Sequence, residues 1–102
     1  MAKLDNYNRL LIPRKLIKAS DTDFSKEVRL FLRNDELFLD NPSEENNRMC
    51  CLGRVNIDYK GRFTVSNFIQ KFLKTKEKTD FICYICNGKI TFKTILLIPE
   101  NN

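Results

Sequence analysis

Short apolar runs separated by polar, turn-forming stretches dominate this chain, and they recur twice in the same order. The segments "RLLI" (9–12) and "RFTV" (62–65) are compatible with short strands. Pro13 and Ser66 follow them; proline suits a first helical turn and serine an N-cap. Short amphipathic helices are therefore expected over 14–19 and 67–74. After a polar stretch come "EVRLFLR" and "DFICYIC", then "ND" or "NG", then "ELFLD" or "KITFK". Asn-Gly is the strongest two-residue hairpin signal, because a type I′ turn needs positive φ at both central positions, and Asn-Asp is a weaker form of it. Each unit thus reads as strand, short helix and β-hairpin.

The two units are in register. A shift of 53 residues, with no gap, places Asp5 on Asp58, Arg9 on Arg62, Lys18 on Lys71, Thr22 on Thr75 and Asn34 on Asn87. Apolar positions match as well, among them Leu10 with Phe63, Ile12 with Val65, Leu30 with Cys83 and Leu39 with Phe92. Few identities on a kept apolar pattern point to a duplicated structural unit. One unit of about forty residues buries too little apolar surface to be stable alone, so two are expected to close a common core.

This gives one domain over 1–102, with a first repeat at 3–39, a linker and lead-in strand at 40–53, a second repeat at 54–93 and a tail at 94–102. The stretch "DNPSEENNRM" is polar, contains proline and has no periodicity, as a linker should. No apolar run is long enough for a signal peptide or a membrane span, so a cytoplasmic protein with reduced cysteines is expected. The chain contains no histidine, which removes the commonest general base and zinc ligand.

The unit D-x-x-x-R, apolar run, short helix and hairpin resembles the AbrB, MazE and SpoVT group of bacterial DNA-binding proteins. Two copies, Asp5 to Arg9 and Asp58 to Arg62, are similar to the tandem arrangement of the MraZ family. The resemblance implies a mainly β fold with short helices, a swapped-hairpin AbrB-like barrel built from two strand-helix-hairpin repeats. It also implies a sequence-specific transcriptional regulator, homo-oligomeric, acting on double-stranded DNA and associated with the nucleoid. Three departures stand out. Asn8 replaces the glycine that Gly61 supplies, Ser66 replaces the proline that Pro13 supplies, and the helical extensions of the MraZ family are missing or replaced by the short linker.

Charge agrees with that expectation. The formal net charge is +5, and residues 1–18 with 54–76 carry eleven Lys and Arg against two acids. If the units pair about a pseudo-twofold axis, Arg9, Arg14, Lys15 and Lys18 lie opposite Lys60, Arg62, Lys71 and Lys74 on one basic face suited to phosphate. By resemblance Arg9 and Arg62 are the principal contacts. Asp5 and Asp58 are expected to shape the turns, with Asn8 and Gly61, or to orient the arginines. A catalytic carboxylate pair is the sharper alternative, yet no nucleophile-base constellation accompanies it, so no enzymatic activity and no cofactor are expected. A second reading is an antitoxin-like or assembly module acting through a protein partner, with the apolar "TILLIP" or the linker as its contact.

Four cysteines remain, Cys50, Cys51, Cys83 and Cys86. Strand alternation sets Cys83 and Cys86 on opposite sheet faces and turns Cys50 away from Cys51. Buried small apolar side chains, not a zinc site, are expected. Tyr7 and Tyr59, beside the motifs, are expected to cover the edge of the core, with stacking or phosphate contact as the alternative.

Overall fold

The structure is a computed structural model and describes residues 2–73 and 80–95. The chain is mainly β with two short helices: β1 (Ala2–Lys3), β2 (Arg9–Leu11), α1 (Arg14–Ala19), β3 (Val28–Arg33), β4 (Glu36–Asp40), β5 (Cys50–Val55), β6 (Arg62–Thr64), α2 (Asn67–Leu73), β7 (Asp80–Cys86) and β8 (Lys89–Thr94). No helix among the described residues is long and apolar enough to cross a membrane.

Six strands form one antiparallel sheet in the order β1-β7-β8-β4-β3-β5, and β2 pairs with β6 in a separate two-stranded ribbon. The second unit's hairpin thus takes the first unit's β1 as its neighbour, and the first unit's hairpin takes β5. Among the described residues the strands do not close into a barrel. The ladder hydrogen bonds of β2 and β6 are spent on each other, so the large sheet ends at β1 and β5.

Alternation sets the inner face of the large sheet. Leu30 lies opposite Leu39, Cys83 opposite Phe92 and Ile85 opposite Ile90. The ribbon covers this face with Leu10 and Phe63, which are direct partners in its register. Both are buried, together with Leu4, Ile12, Val65 and Phe81. The Phe92 ring meets Phe63 edge-on at 5.5 Å and Phe81 at 6.4 Å between centroids. Burying side chains of this size is worth about 1.5–3 kcal/mol each, which makes this cluster the main source of stability.

A second, smaller cluster occupies the opposite sheet face. Phe31 and Phe38 stack at 5.2 Å and are almost fully buried, although alternation turns them away from the main core. The 40–49 segment is more than a spacer. Phe38 and Thr91 share a small cleft of about 180 Å³ with Asn46 and Met49 from that segment. Asn46 is buried at 4% exposure; its side-chain amide donates to Asp40 at 3.0 Å and to the Asn41 carbonyl at 2.8 Å, and its carbonyl accepts the Ser43 amide at 2.9 Å. Satisfied in this way, a buried amide orders a stretch whose composition predicts a loose connection.

The helices begin as their capping residues dictate, with one difference. Ser66 Oγ accepts the Ile69 amide at 3.3 Å, an ordinary N-cap. Pro13, expected inside the first turn, stands just before it, with extended backbone at φ −56° and ψ 134°.

Candidate nucleic-acid interface

Each D-x-x-x-R segment folds into the same turn. The Asp5 carboxylate accepts the backbone amides of Tyr7 at 2.8 Å and Arg9 at 2.9 Å through Oδ1, and Arg9 Nε at 2.8 Å through Oδ2. Asp58 accepts the Lys60 amide at 2.9 Å, the Arg62 amide at 2.9 Å and Arg62 Nε at 2.8 Å in the same way. The backbone closes alike: Asn8 donates to the Asp5 carbonyl at 3.0 Å and Gly61 to the Asp58 carbonyl at 2.9 Å. The tight reversal requires left-handed backbone, with φ 60° at Asn8 and 84° at Gly61. Asparagine is among the few residues that tolerate it. A Cβ at Gly61 would sit 3.2 Å from the Ile12 carbonyl oxygen.

These contacts hold both carboxyls below the usual aspartate value of 3.8. At Asp5 partial desolvation pushes upward, and the Arg9 and Tyr7 amides with the Arg9 guanidinium outweigh it. At Asp58 the Arg62 amide contributes most, helped by the Arg62 side chain and the Lys60 amide. Both aspartates are therefore ionised acceptors at neutral pH. Each binds its arginine through Nε, which leaves the two Nη nitrogens of the fork as donors.

The ribbon brings the two arginines together. In its register Arg9 faces Thr64 and Leu11 faces Arg62, and these alternate with the buried Leu10 and Phe63. Arg9 and Arg62 thus share the outer face of one two-stranded ribbon. Their side chains are about a quarter exposed, 28% and 24%, because the aspartates hold them against the turns.

Around this ribbon Arg14, Lys15, Lys18, Lys60 and Lys71 are exposed. None of these five is in an ion pair among the described residues. Elsewhere several cations are paired: Glu27 with Arg29 at 2.5 Å and Arg54 at 2.6 Å, and Lys89 with Asp21 at 2.5 Å and Asp40 at 2.9 Å, while the exposed Arg33, Arg48 and Lys93 are, like those five, in no ion pair among the described residues. Arg14 and Lys60, from different units, line one cleft of about 360 Å³ with Leu11, Ile17 and Tyr59. Lys74 lies outside the described residues.

The tyrosines do not cover the core. Tyr7 is 74% and Tyr59 85% exposed, because each sits at a turn tip; the Arg9 guanidinium lies 4.9 Å from the Tyr7 ring centroid. Nor are all four cysteines buried. Cys50 and Cys51 are exposed, since β5 has a neighbour on one side only among the described residues. Cys83 does pack against the main core, and burial raises its thiol to about 11. Sequence reasoning passed over Phe68, which is 63% exposed on α2. The 53-residue shift places it on Lys15, and that was the available signal of an outward position.

No protein-family model matches this chain, and no match is found among curated proteins or solved structures.

Proposed function

We propose that this protein is a sequence-specific double-stranded-DNA-binding regulator of the AbrB and MraZ type, acting as a homo-oligomer in the bacterial cytoplasm and at the nucleoid. In this reading the exchange of β1 and β5 between the two units is the swapped-hairpin arrangement of a tandem pair. One observation carries the proposal: two identically built Asp-Arg turns place Arg9 and Arg62 on the outer face of one ribbon, with five exposed cations around it that are in no ion pair among the described residues. A two-stranded ribbon fits the major groove, and an arginine fork with free Nη donors matches the acceptors of guanine or phosphate. The lysines anchor phosphates, and repeated half-sites supply avidity to oligomers. Asp5 and Asp58 are positioning residues that hold the forks outward.

The test is duplex binding measured against salt. The wild type should give a steep negative slope of log affinity on log salt, since each neutralised phosphate contributes about 0.9. Arg9→Ala with Arg62→Ala should flatten it. The double lysine variant, which keeps the charge and loses the fork, should restore the slope but not the discrimination between sequences. Absence of duplex retention at low salt sinks the proposal, and a double alanine variant that binds as the wild type does sinks the assignment of the arginines.

A further inference from the structure

Between α1 and the 58–62 turn, Leu11, Ile12, Ile17, Phe24 and Ile57 line the cleft of about 360 Å³ that also holds Arg14 and Lys60, one cation from each unit, beside Tyr59. Both cations are exposed and in no ion pair among the described residues. The Asp58 carboxylate lines the cleft too, and its charge is matched by Arg62 Nε at 2.8 Å. A neighbouring cleft of about 400 Å³ shares Phe24 and Ile57 and adds Val28 and Val55, so the apolar lining runs from one into the other. The charges of that second cleft are already paired, Glu27 with Arg54 at 2.6 Å and Lys26 with Asp23 at 4.0 Å.

The repeat supplies its own comparison. Both units build this frame, since the Gly61 carbonyl accepts the Ile12 amide at 2.8 Å and the Asn8 carbonyl accepts the Val65 amide at 2.7 Å. Only one is furnished in this way. At the positions 53 residues away, Leu11 is replaced by Thr64, Ile17 by Gln70, Arg14 by Asn67, Tyr59 by Asn6 and Lys60 by Tyr7. Ribbon and helix therefore form with threonine and glutamine where the cleft has leucine and isoleucine, so the fold does not demand the apolar pair. Leu11 is 51% exposed and forgoes much of the burial a leucine ordinarily gains. Phosphates have no use for such a floor. An apolar concavity of this size with a few placed polar groups is the ordinary form of a small-molecule site, and two cations select an anion. Leucine, isoleucine and phenylalanine side chains offer no hydrogen bonds, so a hydrocarbon chain suits a lining that continues into the second cleft.

We infer that this cleft binds an aliphatic carboxylate, with its head group on Arg14 and Lys60 and its chain along Leu11, Ile17, Phe24 and Ile57, and that the bound carboxylate weakens duplex binding. The second half rests on the DNA-binding reading, because the head group occupies two cations otherwise given to phosphates. Linkage makes the effect mutual: duplex weakens carboxylate binding by the same factor.

Titration calorimetry of the full chain with octanoate, without DNA, should show saturable binding with a negative heat-capacity change. Octylammonium, the same chain with the opposite charge, and acetate, the same head group without the chain, should not bind at that concentration. Arg14→Asn with Lys60→Gln should lose about tenfold or more in octanoate affinity. Leu11→Thr with Ile17→Gln, which installs the side chains the other unit already carries, should lose binding as well. Nuclear Overhauser contacts between octanoate and the Leu11 and Ile17 methyl groups should locate the site in the wild type, whether or not that variant folds. No octanoate binding, equal binding of octylammonium, contacts only elsewhere, or unchanged affinity in Arg14→Asn with Lys60→Gln overturns the site. Octanoate that binds there and leaves duplex affinity unchanged overturns the competition. Absence of duplex retention at low salt without octanoate removes the parent reading, and calorimetry still decides the site.

Discussion

At the scale of single residues, the aspartate of each D-x-x-x-R segment joins sequence to the proposed function. Its carboxylate satisfies two turn amides and holds one arginine, so the acid that would repel phosphate is already occupied by the group that attracts it. The sign of the pH dependence follows. Both aspartates have folded-state values below 3.8, so their contribution is fully present above that value and is lost as pH falls through the depressed folded value. Asp58→Asn should lower the melting temperature at pH 7, and the wild type's advantage should be smaller at pH 3, below the ordinary value of 3.8 at which the unfolded chain's carboxyl takes up its proton. Equal losses at both pH values would separate the turn from this carboxylate. The spacing in the sequence pointed to these residues, because a side chain bonding its own backbone two and four residues on is a local interaction. The exposure of Tyr7 and Tyr59 was not legible in the same way, since whether a ring reaches the core depends on where the turn tip points.

At the scale of elements, the hairpins and helices were largely readable and their fine geometry was not. Both hairpins turn where Asn34 and Asn87 stand, with φ 57° and 51°. In the second hairpin Gly88 is also left-handed, at φ 79°, as a type I′ turn requires; Asp35, its equivalent, is not. A Cβ at Gly88 would moreover collide with the Asp21 carboxylate, which pairs with Lys89. Gly88→Ala should therefore cost about 1–2 kcal/mol or more in a urea titration, and Asp35→Ala clearly less. Similar losses at the two sites would mean that the turns share one conformation. The helices, Arg14–Ala19 and Asn67–Leu73, are too short to persist in isolation and exist because Ile69 and its counterparts pack on the core. That dependence is why an amphipathic pattern located them but left Phe68 in the apolar count.

At the scale of the whole molecule, strands distant in sequence pair across the fold: β1 pairs with β7, β5 with β3, and β2 with β6. Each unit therefore lacks neighbours that only the other provides. Fragments 1–48 and 49–102 should each be unfolded as monomers, and mixing them should restore the far-ultraviolet β signal in a one-to-one complex. Either fragment folding alone as a monomer, by circular dichroism and sedimentation, would show that the units are independent. The charge arrangement also belongs to this scale. Ion pairs such as Lys89 with Asp21 join residues 68 positions apart, so which cations are neutralised is set by the fold.

Periodicity and turn chemistry are properties of neighbouring residues, and from them the sequence by itself determined a mainly β chain in which a short strand, a short helix and a hairpin follow one another twice, and the Asp-Arg turns. Tertiary structure alone decided that the sheet stays open, that Phe31 and Phe38 form a second cluster beside Asn46, that Cys50 and Cys51 lie on an exposed edge, and that Phe68 faces outward. The physical reason is common to all four. Burial and strand pairing are set by distant parts of the chain competing for one core, and no local pattern encodes which of them arrives there.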